Sequence, residues 1–241
     1  MMTCQTRARG RSALCAVGCA ASVTTAAVAR LVVLSGTVRL VHGARASMPS
    51  GLLRVTTTTD AVQAREKIEA AVSAAGLADD KGVGREEIRS FYWWEGAVQD
   101  DAETRLHFST AADFSRVVSV VSAAHNYDVP MIIGEAAEGE AAGGAGEKEA
   151  AHWKGVVAAG ANAASLASAL AASRLVACAQ VSSDGTVHVK TVKGAIEAVG
   201  ALVRKDAAAA TVTWKPIVGN TPYLDWVTEE TKVGPSAACD E

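Results

Sequence analysis

The alternation of apolar and polar positions between residues 52 and 134 sets out a short series of elements. Residues 52–58, Leu-Leu-Arg-Val-Thr-Thr-Thr, form a β-prone run. Val62, Ile68, Ala71, Val72 and Ala75 then recur at helical spacing, with Gly76 as the stop. Asp60 precedes this helix and Gln63 follows three residues later, the pattern of a capping box. A charged loop over 79–87 leads into a strand at 88–94. Glu95-Gly96 makes a turn or bulge, and Val98 carries the strand beyond it. Residues 103–109 alternate as a third strand, with Leu106 and Phe108 on one face. Asp113 helps to start a second helix whose inner face is Phe114, Val117, Val118 and Val121. Residues 129–133 form a fourth strand, which Pro130 restricts to an edge or a strand start.

Residues 135–151 are Gly, Ala and Glu with almost no bulky apolar side chain. Such a stretch buries too little surface to offset its ordering entropy, so it reads as a flexible linker. A similar order then returns. Residues 154–159 form a strand, Asn162 a cap, and Leu166, Ala169, Leu170 and Ser173 a helix face. Residues 175–181 and 186–191 form a strand pair about the hairpin turn Asp184-Gly185. Ile196, Val199, Leu202 and Val203 mark a helix, and 210–215 a last strand. Asn220-Thr221-Pro222 opens a terminal helix carrying Tyr223, Leu224, Trp226 and Val227, with proline favourable in its first turn. Both runs have the β-α-β-β-α-β order of the split βαβ arrangement. The predicted fold is therefore α+β: two tandem ferredoxin-like domains, each an antiparallel sheet with helices on one face. Internal duplication is the simplest account. The expected boundaries are a leader at 1–48, a first domain at 50–135, a linker at 136–152, a divergent second domain at 153–233 and a tail at 234–241.

Composition changes this picture in three places. Hydrophobic residues make up 49% and charged residues 20% of the 241, which suits packed cores. The net charge of −3 hides an asymmetry, because no acid precedes Asp60 while the leader alone carries Arg7, Arg9, Arg11, Arg30, Arg39 and Arg45. The rest of the chain keeps 17 of the 23 basic residues against 26 acids, and an acidic body excludes nucleic-acid binding by charge. The Arg-, Ser- and Ala-rich leader fits a mitochondrial or other organelle transit peptide. A secretory signal ending at Ala27-Val28-Ala29, or a cytoplasmic protein with no true leader, are the alternatives. The mature part is expected not to span a membrane. Cys4, Cys15 and Cys19 fall in the leader and Cys239 in the tail, which leaves Cys178 without a core partner for a disulfide.

Several segments together resemble the divalent-cation tolerance (CutA-type) family. The first half carries Val55-Thr56-Thr57, then Phe91-Tyr92-Trp93-Trp94-Glu95-Gly96, then His125-Asn126-Tyr127-Asp128-Val129-Pro130. The second carries Arg174-Leu175-Val176-Ala177-Cys178, then Pro216-Ile217-Val218-Gly219-Asn220, then Tyr223-Leu224-Asp225-Trp226. The first half has Gly76-Leu77-Ala78-Asp79 where the family's cysteine segment is expected, and the second has no Trp-Trp-Glu-Gly. The two sets of losses are nearly complementary, so a tandem chain would assemble one composite cleft from both halves. The resemblance implies a non-enzymatic tolerance or response protein for copper or another divalent metal ion, working as a homo-oligomer with a trimer-like ring of domains. A PII-like small-molecule sensor and a ligand-free trimeric scaffold are the competing readings.

The residues themselves give few sites. Cys178 is a thiolate candidate for copper or zinc and equally a small core hydrophobe. His125 ends a helix, where a cation meets the dipole favourably, and is the second candidate metal ligand. Trp93, Trp94, Glu95, Tyr127 and Asp128 are candidates for a cleft, and Tyr223 and Trp226 for an interface. His107 and His188 read as ordinary strand residues. No nucleotide-binding glycine motif, nucleophile elbow or closed zinc spacing is present, so an enzyme is not expected.

Overall fold

Every strand among the described residues joins a single antiparallel sheet that passes unbroken from one half of the sequence to the other. The computed structural model describes residues 51–137, 150–206 and 210–232. The leader, most of the expected linker and the tail lie outside the described residues. The first half comprises β1 (Leu53–Thr59), α1 (Val62–Ala74), β2 (Gly84–Trp94), β3 (Ala97–Thr110), α2 (Phe114–Ala124) and β4 (Ile132–Ala136). The second comprises β5 (His152–Ala158), α3 (Ala163–Ser173), β6 (Cys178–Ser182), β7 (Thr186–Val192), α4 (Ile196–Asp206), β8 (Thr213–Pro216), β9 (Val218–Gly219) and α5 (Thr221–Glu230). Among the described residues no helix is long and apolar enough to cross a membrane.

The sheet order is β8-β5-β7-β6-β2-β3-β1-β4-β9. Within each half the first strand lies between the third and the fourth, and the second strand is outermost. The halves meet where β2 pairs with β6, through Ile88↔Ser182, Ser90↔Gln180 and Tyr92↔Cys178. The far ends meet as well. Residues 213–219 run past both outer strands: β8 pairs with β5 (Lys154↔Lys215), then β9 pairs with β4 (Ile133↔Gly219). Ile217 N–H, between the two, donates to the His152 carbonyl at 3.1 Å. The sheet thereby curls into a ring with an inner and an outer face.

Side-chain parity decides what each face holds. On the outer face Leu53, Val55, Leu106, Phe108 and Ile132 pack with Ile68 and Val72 of α1 and Val117 and Val121 of α2. Phe91, Val157, Ala179, Val187 and Val189 pack likewise with Leu166 and Leu170 of α3 and Val199 and Val203 of α4. The alternate positions point inward. The side chains of α5 seal one end of the ring, where Tyr223 and Val227 meet Met131, Ile133 and Ala177.

Several local expectations change. Thr-rich β1 keeps Leu53 and Val55 under the helices, but Thr57 and Thr59, on the same face, meet the loop after α2 through His125 and Asn126. Asp60 does not cap α1. That helix starts after Ala61 without a side-chain cap, because Asp60 instead accepts from Asn126 Nδ2 at 2.9 Å. Asp113 does cap α2, accepting from Ser115 N–H at 2.8 Å. Glu95-Gly96 is a two-residue hairpin turn with both residues at positive φ (47° and 86°), so β3 begins at Ala97 and not at 103. Asn162 precedes α3 without a side-chain cap.

Asn220 holds the closing segment. Its Oδ1 accepts from Ile132 N–H at 3.0 Å and its Nδ2 donates to the Pro130 carbonyl at 2.9 Å, both buried. Replacing Asn220 by alanine strands two buried backbone groups at once, a loss of roughly 2–4 kcal/mol. Denaturant unfolding of Asn220→Ala is expected to show that loss, and hydrogen exchange at the Ile132 amide to quicken.

Candidate functional site

The junction of the two halves places a carboxyl and a thiol on the inner face near the end that α5 seals. Glu103, on β3, is 2% exposed although it carries a charge in water. Ser90 Oγ donates to its Oε2 at 2.5 Å and Tyr127 O–H to its Oε1 at 2.9 Å. Burial pushes the carboxyl up to about 7, with the hydroxyl donors Ser90 and Tyr127 holding it back from a larger rise. Cys178 comes from the other half through the Tyr92↔Cys178 register. It is reduced, 1% exposed, and packs with Tyr92, Trp94 and Trp226. Its Sγ lies 3.6 Å from the Tyr223 hydroxyl of α5. The thiol is near enough to Glu103 to disfavour ionisation of the carboxyl.

A hydrogen-bonded row extends the cluster along the inner face. Gln180 Nε2 reaches Ser90 Oγ at 3.5 Å, and the fully buried Lys190 ammonium donates to Gln180 Oε1. Tyr92 O–H donates to Asp101 at 2.5 Å. This row comes from β2, β3, β6 and β7, so neither half possesses it alone.

His125 sits beside the cluster in a different role from the one expected. Its Nδ1 accepts from Tyr127 N–H at 3.1 Å, and its Nε2 lies 3.0 Å from the Thr58 carbonyl, which assigns the proton to Nε2. Burial lowers its pKa to about 4, against a partial rise from the Thr58 hydrogen bond. The ring is therefore neutral at physiological pH, and no cation interacts with the helix dipole there. With both nitrogens engaged, His125 fixes the loop that aims Tyr127 at Glu103. The two rings are 4.8 Å apart.

The other sequence candidates separate. Trp94 joins the thiol cluster, whereas Trp93 lies on the outer face beneath the Arg174 guanidinium, 5.8 Å from its ring centroid. Glu95 and Asp128 are exposed, Glu95 at the hairpin tip. Tyr223 and Trp226, with ring centroids 5.6 Å apart, pack within the chain against its own inner face. Glu103, Ser90, Gln180 and Lys190 were not candidates from sequence. Their one signal was parity, since Glu103 alternates with the apolar Leu106 and Phe108 face and so reads as solvent-facing. Among the described residues no group of three or more His, Cys, Asp and Glu side chains is placed to hold a metal ion together. A thiol and a carboxyl with a hydroxyl close by suit a soft or borderline cation by chemistry, as a two-donor set that needs a further ligand.

Comparison with known proteins follows the same segments. Residues 52–142 match the family described as CutA1 divalent ion tolerance protein. The chain is similar to the chloroplastic protein CutA 1 of Oryza sativa subsp. japonica, 47% identical over 47 residues, which is 19% of this chain and 27% of that one. It is also similar to the divalent-cation tolerance protein CutA of Pyrococcus horikoshii, 40% identical over 48 residues, 20% of this chain and 47% of that one. The chain thus spans less than half the length of the curated relatives it matches. Among solved structures, CutA1 from Oryza sativa aligns at 33% identity over 34% of this chain and 76% of its own, with a TM-score of 0.31. The family match ends before β5, so Cys178 and α5 lie beyond it. Residues 52–142, which supply Tyr92, Glu103, His125 and Tyr127, are thus the part of the chain that matches the CutA1 divalent ion tolerance family.

Proposed function

We propose that this chain is a non-enzymatic divalent-cation tolerance protein in which two tandem ferredoxin-like units share one composite ion-responsive site. The observation that carries this reading is the β2–β6 register, which sets Cys178 of the second half against Tyr92 and near Glu103 of the first. The duplication reading is supported by the common strand order of the halves. The losses of motif in one half are then made good by the other. Cys178 thiolate and Glu103 carboxylate would be the donors, copper being favoured by the thiolate. Both donors must shed a proton to bind, so metal affinity rises with pH through the range where Glu103 ionises. His125 and Tyr127 position the carboxyl. Self-association of such chains into a larger ring, and an organelle address like that named for the rice relative, belong to the same reading.

The site tests directly by anaerobic titration with copper(I) and, as the divalent ion, zinc(II), of the full chain with Cys4, Cys15, Cys19 and Cys239 changed to serine. One ion per chain is expected, weakened about tenfold or more by Cys178→Ala. Absence of binding removes the metal reading, and undiminished binding in Cys178→Ala moves the ion elsewhere.

Glu103 yields a pH prediction independent of metal. Below its ordinary value of 4.5 the carboxyl is protonated in folded and unfolded chains alike. Between 4.5 and about 7 the unfolded chain loses the proton while the native one keeps it, so stability falls as pH rises through that window. Glu103→Gln removes this term. Thermal unfolding from pH 4 to 8 is expected to show the variant gaining on the native chain by an amount on the order of 3 kcal/mol.

A further inference from the structure

The inner face carries a second polar cluster, at the end of the ring away from α5, and its bonding is incomplete. Arg105 and His107 lie on β3, His188 on β7, Lys154 on β5 and Glu135 on β4. Arg105 Nη1 donates to Glu86 Oε2 at 2.8 Å and to Ser182 Oγ at 3.1 Å. Its Nη2 is buried and has no partner among the described residues. Lys154 Nζ donates to Glu135 Oε1 at 2.6 Å, across the seam where the ring closes, and Glu135 Oε2 is likewise buried without a partner. The Nδ1 atoms of His107 and His188 share that state. Arg105 and Glu135 are 7% and 6% exposed, so bulk water does not reach them freely. An orphaned buried polar group costs about 1–3 kcal/mol, and four on one face, with Arg105 and Lys154 acting on both imidazoles, point to an occupant.

Charge and space narrow what that occupant is. Arg54, Arg105, Lys154 and Lys190 all act on His188, and burial together with these cations holds its imidazole far below the ordinary histidine range. His107 is lowered by burial and then by Arg54. Glu86 and Glu135 bring opposing carboxylates. A Cβ at residue 84, directly across from His107, would lie 2.3 Å from its Nε2, so a glycine there is what admits the ring. The open atoms are thus one guanidinium donor, two imidazole nitrogens able to donate, and one carboxylate acceptor.

We infer that this end of the ring binds a small oxyanion that still carries a proton, of which hydrogen phosphate is the simplest. Arg105 Nη2 and the Nδ1 atoms of His107 and His188 donate to its charged oxygens. Glu135 Oε2 accepts from its P–O–H. The acceptor sets specificity, because sulfate at neutral pH has no proton to offer and would meet the carboxylate oxygen by repulsion. The site shares no ligand-binding residue with the Glu103–Cys178 pair and does not depend on the metal reading.

Calorimetric titration of the full chain with inorganic phosphate and with sulfate, at neutral pH and low salt, tests the assignment. One phosphate per chain is expected, with sulfate weaker by about tenfold or more and phosphate weakened about as much by His188→Leu. Glu135→Gln should bind both anions alike, since its amide N–H donates to either. Two-dimensional spectra of the histidine rings should show the His107 and His188 nitrogens shifting with phosphate and not with chloride. No phosphate binding, equal binding of phosphate and sulfate by the native chain, or unchanged affinity in His188→Leu each overturns the proposal. If Glu135→Gln does not fold, the anion comparison on the native chain and His188→Leu decide it alone.

Discussion

The closing of the sheet by residues 213–219 is the constraint on which the rest of the molecule depends. One segment satisfies the outer edge of β5 with its first half and the edge of β4 with its second. Each outer strand would otherwise present unpaired backbone groups. Closure has a second effect, on the side chains. It turns one face of an ordinary two-faced antiparallel sheet into an interior, and every polar group on that face must then find a partner away from bulk water.

That requirement explains the character of the inner face. Near α5 the demand is met by short chains of hydrogen bonds, from Tyr127 and Ser90 to Glu103 and from Lys190 through Gln180 to Ser90. Burying a lysine and a glutamate is costly unless each is bonded, and the neutral side chains between them supply those bonds. Glu103 answers the same pressure by holding its proton to about 7. Lys154 and Glu135 answer it as an ion pair across the seam. At the end away from α5 the bonding is left short, and that end is where a ligand has something to gain.

The composite nature of the site follows from which edges pair. Had β2 ended the sheet, the Glu103 cluster would lie at an edge with no thiol nearby. Because β2 accepts β6 in the Tyr92↔Cys178 register, the second half contributes what the first lacks. The same pairing accounts for Trp94 and Trp226, which cover the thiol from opposite halves of the chain.

Much of this was already legible in the residues. The periods of 2 and 3.6 located the five α-helices of the described residues and the β-α-β-β-α-β order of each half, because burying one face of each element fixes those periods locally. The hairpin at Asp184-Gly185 and the Asp113 cap were legible for the same reason, each being set by a few adjacent residues, whereas Glu95-Gly96, read as a turn or bulge along one strand, joins two. Cys178, His125, Trp94 and Tyr127 stood out by chemistry, although the neutrality of His125 did not, since it depends on Thr58 and on burial. Glu103, Arg105, His107, Gln180 and Lys190 stayed hidden: on alternation alone they belong to a face turned to water. A pattern of polar and apolar positions fixes which side chains share a face, and it cannot say what lies across from that face. Only the long-range pairing of residues 213–219 with β5 and β4 made it an interior, and that contact joins segments too distant in sequence for any local period to record.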